Sequence, residues 1–529
     1  MEKNLKIRPY TFYPSLTILG TLSYLALFDN ANFFEITSTM HHWLLDNFGW
    51  MYLLSAFFLV ISCFVVFFSP IGNMRIGGKD AKPILTKWQW SSITLCSSVA
   101  IGLLFFASAE PIIDMLYPPK FLGAEPLSNE TAVFGLAAVF MHWSLTTYAL
   151  YSIPALAFAL AYYNYKSEFS ISSAMFVGSN FELKSTIREL IDAVALIALA
   201  AGMITSLGAS ILMLEGGINA LFDTQIGTTA LALIAASVIV ASSISAASGL
   251  HKGIAFLSNW NAKAFIAFSL LVLIFGPTSF IANAGLDSLS MYLSNFVAWS
   301  LDTGVVTEDS WPKDWTIFFW ANWYAWAPIV AIFLGKISRG YTVKEFLIFN
   351  VAIPSVFVTF WCSVFGGYSI YLELTANNVL SNTLIEQGPG AIIWELFRDL
   401  PASIFFIGFF LIMSFVSYVT AADSAIDAIS GTCVQSSNEQ DSEPKSPLII
   451  KLIWGGIIAL LACILTLNNG LDGLKLVSTL GGFFGMLIVV CAQVFLLRLC
   501  FSKSHKKKIL LDTADNLSQK TYKTATVTI

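Results

Sequence analysis

The residues best suited to chemistry in this sequence are tryptophans. The stretch Asp314-Trp315-Thr316-Ile317-Phe318-Phe319-Trp320-Ala321-Asn322-Trp323-Tyr324-Ala325-Trp326-Ala327-Pro328 carries four of them and opens an apolar segment. Trp320, Trp323 and Trp326 recur every three residues, so a helix holds them within about a third of its circumference. Tryptophan in a bilayer helix normally stays at the interface. A stripe that runs a full turn and more inward implies rings that line something. Indole faces attract cations, quaternary ammonium most characteristically, and the attraction grows once water is excluded. The plainer alternative is an interfacial belt combined with helix packing.

A second aromatic group follows the same logic. In Met141-His142-Trp143-Ser144-Leu145-Thr146-Thr147-Tyr148-Ala149-Leu150-Tyr151, a helix puts Trp143, Tyr148 and Tyr151 on one side as a second wall. His142 is read as a packed, hydrogen-bonded histidine, because no other metal-ligating residue stands near it. Val419-Thr420-Ala421-Ala422-Asp423-Ser424, with Asp427 one turn on, places carboxylates in an apolar segment, where they are functional candidates by default. Asp423 is the candidate for proton coupling; the alternative places both carboxylates at the cytoplasmic end of the span. Cys96-Ser97-Ser98 leads to Gly102, and such small and hydroxyl residues let helices approach closely or unwind beside a cavity. Thr205-Ser206-Leu207-Gly208 and Glu215-Gly216-Gly217 are expected to be points where the chain breaks easily. Asp192 is expected to pair with Arg188 on its own helix face. The seven cysteines form no CxxC or zinc-ligand spacing and are read as packing residues. Five dispersed histidines offer no nucleophile, base or metal set, so an enzyme is not expected.

The elements that must position these residues cross a membrane. The 529 residues are 56% hydrophobic and 12% charged, about half the charge of soluble domains. Apolar windows of about 20 residues predict roughly twelve spans. Their centres lie near Leu19, Phe58, Val99, Tyr148, Ala201, Ala236, Leu273, Ala325, Val358, Phe410, Ala459 and Val489. Short amphipathic helices are expected at Asp287–Ser300 and Ile392–Phe397. Lysine and arginine follow every even-numbered span and flank both ends, whereas Asp29–Trp50 and Glu215–Gly249 hold none. This alternation predicts cytoplasmic termini. Met1–Tyr10 is short and basic with no cleavage site behind it, so no cleavable signal peptide is expected. No basic patch points to nucleic acid, and no soluble domain is appended.

Several stretches together resemble the betaine/carnitine/choline transporter family. The strongest is Asp314–Trp320 with Trp323 and Trp326, followed by Ala331-Ile332-Phe333-Leu334-Gly335-Lys336-Ile337-Ser338-Arg339-Gly340-Tyr341. Ser108-Ala109-Glu110-Pro111, His142-Trp143, Thr205-Ser206-Leu207-Gly208, Phe365-Gly366-Gly367 and Ala422-Asp423-Ser424-Ala425 occur in family order. The resemblance implies an all-α integral membrane carrier with twelve helices and a LeuT-like inverted five-helix repeat behind two N-terminal helices. The implied organisation is 1–87 for the N-terminus and first two helices, 88–286 for the first repeat and 287–313 for an amphipathic connector. Residues 314–500 would form the second repeat and 501–529 a cytoplasmic tail. It also implies a trimethylammonium cage from Trp143, Tyr148 and Tyr151 with Trp323 and Trp326, Trp320 lying one turn earlier. A homotrimer in the lipid of the cell (inner) membrane is the implied assembly.

Departures from the family pattern bear on coupling. Only Gly102 remains of the glycine-rich stretch of span three, Asn322 interrupts a tryptophan pair, and Tyr148 replaces a tryptophan. Thr420 is kept but Ala421 replaces its hydroxyl neighbour, and Leu199 and Met203 stand where sodium-coupled members carry threonines. Asn261 and Val330 occupy the positions where the sodium-independent exchanger has arginine and methionine. Ser97, Ser98, Thr420 and Asp423 are therefore the candidates for coupling to sodium or protons, with sodium dependence expected to be weak. No cofactor is expected. A channel or osmosensor is the alternative from another class, although the spans lack the polar rings of a pore.

Overall fold

The computed structural model describes residues 7–98, 101–179, 183–247, 251–434 and 447–501; side chains at 96–98, 101, 228, 242–247 and 251–258 are not described. Among these residues the chain is helical without a strand, as a bilayer requires of backbone that has no water to bond. Helices α1 (Pro9–Phe28) and α2 (Asn30–Phe68) precede α3 (Lys87–Ser98) and α4 (Ile101–Leu116). Next come α5 (Asn129–Trp143), α6 (Leu145–Ala159), α7 (Ile171–Met175), α8 (Ser185–Phe222) and α9 (Thr228–Ala247). Helices α10 (His251–Phe275) and α11 (Thr278–Ser300) are followed by a π-helical turn, Pro312–Ile317, and α12 (Phe318–Ile337). The chain continues through α13 (Val343–Leu347), α14 (Ile353–Thr375), α15 (Val379–Gln387), α16 (Ile392–Arg398), α17 (Ser403–Thr432) and α18 (Leu448–Phe501).

Eight helices among the described residues are long and apolar enough to cross a membrane, or nine if the bent pair Asn259–Phe275 and Thr278–Ser300 is one span. The expected span centres all fall inside helices except Val99, which lies outside the described residues. Helix α18 has 54 residues, about 80 Å as one rod, far more than a bilayer core of about 30 Å. It breaks at Gly470, whose φ of 53° and ψ of −135° leave the helical region. The connector helix begins at Thr278, not Asp287, and turns 112° from the helix before it. Gly276-Pro277 sets that corner, because proline ends the preceding helix and can open the next.

Helix α12 is held on several sides by contacts that bring backbones together. A Cβ added to Gly485 of α18 would fall 2.0 Å from the Tyr324 carbonyl oxygen. Such close approach is how helices associate where lipid tails are as apolar as side chains. The Tyr324 hydroxyl lies 2.7 Å from Ser55 Oγ of α2, and Tyr52 of α2 donates to the Thr479 carbonyl of α18 at 2.8 Å. The expected break points in α8 do not break, and the helix runs unbroken for 38 residues. A Cβ at Gly216 would lie 2.6 Å from the Gly390 carbonyl oxygen, so that glycine serves a close crossing instead.

Candidate functional site

Three rings from three helices meet edge to face. Trp323 of α12 meets Trp143 of α5 at 5.1 Å and 82°, and Tyr151 of α6 at 5.4 Å and 81°. All three, and Tyr148 beside them on α6, are 2% exposed. Perpendicular rings bring a positive edge to a negative face. A corner of such faces lets one methylated cation interact with more than one ring.

The wall formed by Trp143 and Tyr151 is not one straight helix. Ser144, at φ −106° and ψ −116°, separates α5 from α6. The break turns the His142 carbonyl toward other donors: Thr147 Oγ1 at 2.7 Å and Trp323 Nε1 at 3.1 Å. The tryptophan at the centre of the corner is therefore tethered to backbone freed by the interruption.

Hydrogen-bonded to these rings is a polar unit that sequence reasoning missed as a site. Glu110 of α4 and His142 are both fully buried, with Glu110 Oε1 2.5 Å from His142 Nδ1. Glu110 Oε2 accepts from Trp143 Nε1 at 2.8 Å, and His142 Nε2 lies 3.0 Å from Thr316 Oγ1. A neutral imidazole fits both contacts, donating from Nδ1 to the carboxylate and accepting the threonine hydroxyl at Nε2. The imidazole stacks with both Trp311 and Phe319, at 5.6 Å and 4.7 Å. His142 is thus packed and hydrogen-bonded, as its sequence context implies. Glu110 had a signal in the sequence: it is an intramembrane carboxylate, subject to the same rule that singled out Asp423.

The rest of the tryptophan stripe diverges. Trp320 is fully buried and meets His142 edge to face at 5.8 Å. Trp326 is half-buried and donates from Nε1 to Ser206 Oγ of α8 at 3.2 Å. Trp315 carries the Lys475 ammonium 3.9 Å from its ring centroid, an example within the chain of a cation on an indole face. Spacing put these rings on one side of a helix; the neighbouring helices give each a different partner.

The coupling candidates are dispersed. Thr420 is half-buried and its hydroxyl donates to the Val416 carbonyl at 2.8 Å, within its own helix. Asp423 is buried at 2% exposure, whereas Asp427 is half exposed and pairs with Lys451 at 2.6 Å. The side chains of Ser97 and Ser98 lie outside the described residues. Asn261 donates to Ser417 Oγ at 2.8 Å, linking α10 to α17. Asp192 pairs with Arg8 at 2.8 Å, not with Arg188, which reaches Glu168 at 2.6 Å. No group of three histidine, cysteine or acidic side chains able to hold a metal occurs among the described residues.

Relatives align over nearly the whole chain. It is 29% identical over 504 residues to an ectoine/hydroxyectoine transporter of Virgibacillus pantothenticus, covering 94% of this chain and 97% of that one. It is 30% identical over 481 residues to the high-affinity choline transport protein of Escherichia coli, with 90% and 70% covered. The glycine betaine transporter OpuD of Bacillus subtilis is 31% identical over 453 residues, with 83% and 84% covered. With residues 10–505 matching the family model for these carriers, the protein belongs to the BCCT, betaine/carnitine/choline family of transporters.

Proposed function

We propose that this transporter is a secondary carrier of quaternary-ammonium or related zwitterionic compounds of the glycine betaine, carnitine and choline type. The methylated cation binds against Trp143, Tyr148, Tyr151 and Trp323 and is exposed alternately to the two sides of the cell (inner) membrane. Both termini are cytoplasmic in this reading, and the assembly is a homotrimer. The observation that carries it is the convergence of Trp143 and Tyr151 on Trp323, with all three rings removed from water. The names of the relatives, for choline, glycine betaine and ectoine, support the same substrate class. Trp320 and Trp326 extend the stripe above and below the corner and act there as packing partners of His142 and Ser206. Exchange, or transport down the substrate's own gradient, is the favoured mode, because Ala421, Leu199 and Met203 supply no hydroxyl to a sodium ion.

One observation favours a second mode, proton-coupled symport. Glu110 and His142 form a buried carboxylate–imidazole pair that contacts the cage at Trp143 and, through the His142 carbonyl, at Trp323. Intramembrane acid and histidine groups of this kind mark proton relays.

Proteoliposome uptake of choline, carnitine, glycine betaine, butyrobetaine and ectoine decides between these modes, with and without sodium, a proton gradient or preloaded substrate. Saturable uptake with counterflow is expected for at least one compound. Flux that neither saturates nor shows counterflow for any of them would sink the carrier. A tert-butyl analogue, matched in shape but uncharged, is expected to bind far more weakly than its trimethylammonium counterpart. Equal affinity would assign the rings to hydrophobic fit alone.

A further inference from the structure

Helix α4 carries a second acid one turn beyond Glu110. Asp114 is 1% exposed, and its Oδ1 accepts from Trp311 Nε1 at 2.9 Å. Its Oδ2 is buried with no hydrogen-bond partner among the described residues. The ring of Trp311 stacks in turn with the imidazole of His142, at 5.6 Å. One indole thus touches both Asp114 and the partner of Glu110.

Residues four apart share a helix face, with Cβ atoms about 5–6 Å apart. Glu110 and Asp114 are such a pair, and close helix crossings shut off the deeper one. Pro111 has no N–H to bond the Ala107 carbonyl. Gly366 of α14 comes up to that carbonyl and Gly135 of α5 to the Pro111 carbonyl, where added Cβ atoms would lie 2.8 and 2.6 Å from the oxygens. Asp114 stands two residues before the end of α4 at Leu116, and Tyr117 beyond it is 60% exposed. In the proposed orientation this end of α4 faces the outside.

Two ionised acids out of water repel each other, and one shared proton removes that cost. His142 of α5 and Cys362 of α14 face Glu110, and Lys475 of α18 acts on Asp114 from its seat on Trp315. Other titratable groups on the helices against α4 are engaged elsewhere. Glu373 of α14 accepts from the Leu380 and Ser381 N–H groups, Arg398 of α16 pairs with Glu395, and Tyr418 of α17 donates to the Ser206 carbonyl. Glu130 of α5 and Glu386 of α15 are exposed, and Glu215 of α8 is half-buried. Among the described residues, one cation therefore faces two acids, which leaves one charge for a proton to balance.

We propose that Asp114 is the entry station of a proton path: its Oδ2 takes a proton from outer water and passes it one turn inward to Glu110, beside His142 and the cage. Only O–H bonds form and break. Asp114 is left a carboxylate for the next cycle, and the proton leaves Glu110 on the inner side with the substrate. The inference rests on the proton-coupled reading above and adds the entry that the Glu110–His142 pair lacks.

Substrate-driven proton movement tests it. Proteoliposomes carry a pH-sensitive dye inside, and choline or glycine betaine is added outside. The unmodified carrier is expected to acidify the lumen. Asp114→Asn, which keeps an oxygen for Trp311, is expected to fall to the background of empty liposomes, and Asp114→Glu to regain acidification. Counterflow of preloaded substrate needs no net proton transfer and is expected to persist in Asp114→Asn. Equal acidification per substrate in Asp114→Asn overturns the station and leaves proton coupling standing. No acidification by the unmodified carrier with either compound overturns the proton-coupled reading, and the station with it. Loss of counterflow together with acidification, unrescued by Asp114→Glu, makes Asp114 a structural residue and overturns the station too. Infrared difference spectroscopy of the unmodified protein needs no variant. The C=O band of a protonated carboxyl is expected at neutral pH and is expected to vanish at alkaline pH; its absence at neutral pH also overturns the proposal.

Discussion

In the proposed cage Trp323 has two roles: its face is offered to the substrate, while its N–H is tied to the His142 carbonyl. Trp323→Ala removes a desolvated cation–π partner, which contributes on the order of 2 kcal/mol, or roughly thirtyfold in affinity. Trp323→Phe keeps a ring but loses the tether, so it is expected to retain part of the binding. Titration of purified protein with choline or glycine betaine checks both, and unchanged affinity in a folded Trp323→Ala protein removes the residue from the cage. Glu110 makes the second prediction at this scale. Glu110→Ala leaves the Trp143 indole and the His142 imidazole without their acceptor inside the bundle, about 1–3 kcal/mol for each stranded group. Loss of substrate affinity and a lower unfolding temperature are both expected. Glu110→Gln, which still offers an oxygen to Trp143, is expected to recover more of the affinity than of any proton-driven uptake. If it restores both equally, the pair positions the rings and carries no proton.

At the scale of elements, the site depends on two helices that do not behave as plain rods. The break at Ser144 exposes the carbonyl that holds Trp323, and the π-helical turn Pro312–Ile317 delivers Thr316 to His142. Helix α12 keeps its place because α18 comes close enough to touch its backbone. Gly485→Leu is therefore expected to push α12 away from α18. Overpacking of this kind typically costs about 1–3 kcal/mol, and with a Cβ only 2.0 Å from the Tyr324 oxygen the upper part of that range is expected. Gly20→Leu is the control, since a Cβ there meets nothing within 4 Å. Thermal unfolding of the detergent-purified variants checks the pair: a fall for Gly485→Leu and little change for Gly20→Leu is the expected result. Equal stability of the two would mean that the α12–α18 contact does not position the stripe.

The whole molecule decides coupling. A hard cation needs several oxygen ligands at once. Of the candidate hydroxyls with described side chains, Thr420 donates within its own helix and has Ala421 beside it, while Leu199 and Met203 are buried aliphatic and thioether side chains. Weak or absent sodium dependence is expected, with at most one ion per cycle. Uptake into empty proteoliposomes that rises steeply, and more than linearly, with external sodium would sink that expectation. If sodium has no effect, Ala421→Ser is the gain-of-function variant, with partial sodium stimulation as the sign that one restored hydroxyl suffices.

Membrane character, the helical spans and the gathering of aromatic residues in two segments follow from the sequence alone, because hydropathy and composition are local properties of a chain in a bilayer; the break at Ser144 between Trp143 and Tyr148 does not. The packed state of His142 and the existence of a short helix at Ile392–Arg398 were legible for the same reason, although that helix is buried on nearly every side rather than amphipathic. Spacing gives the side of a helix on which a residue stands, and nothing about what another helix brings to it. Only the tertiary structure set Trp143 and Tyr151 on Trp323, sent Trp320 to His142 and Trp326 to Ser206, and brought Glu110 to the Trp143 indole. Asp192 illustrates the point most directly. Its local partner, Arg188, is one turn away, yet its bond is to Arg8 at the far end of the chain. A buried carboxylate takes the cation that can follow it out of water, and sequence distance does not enter that choice.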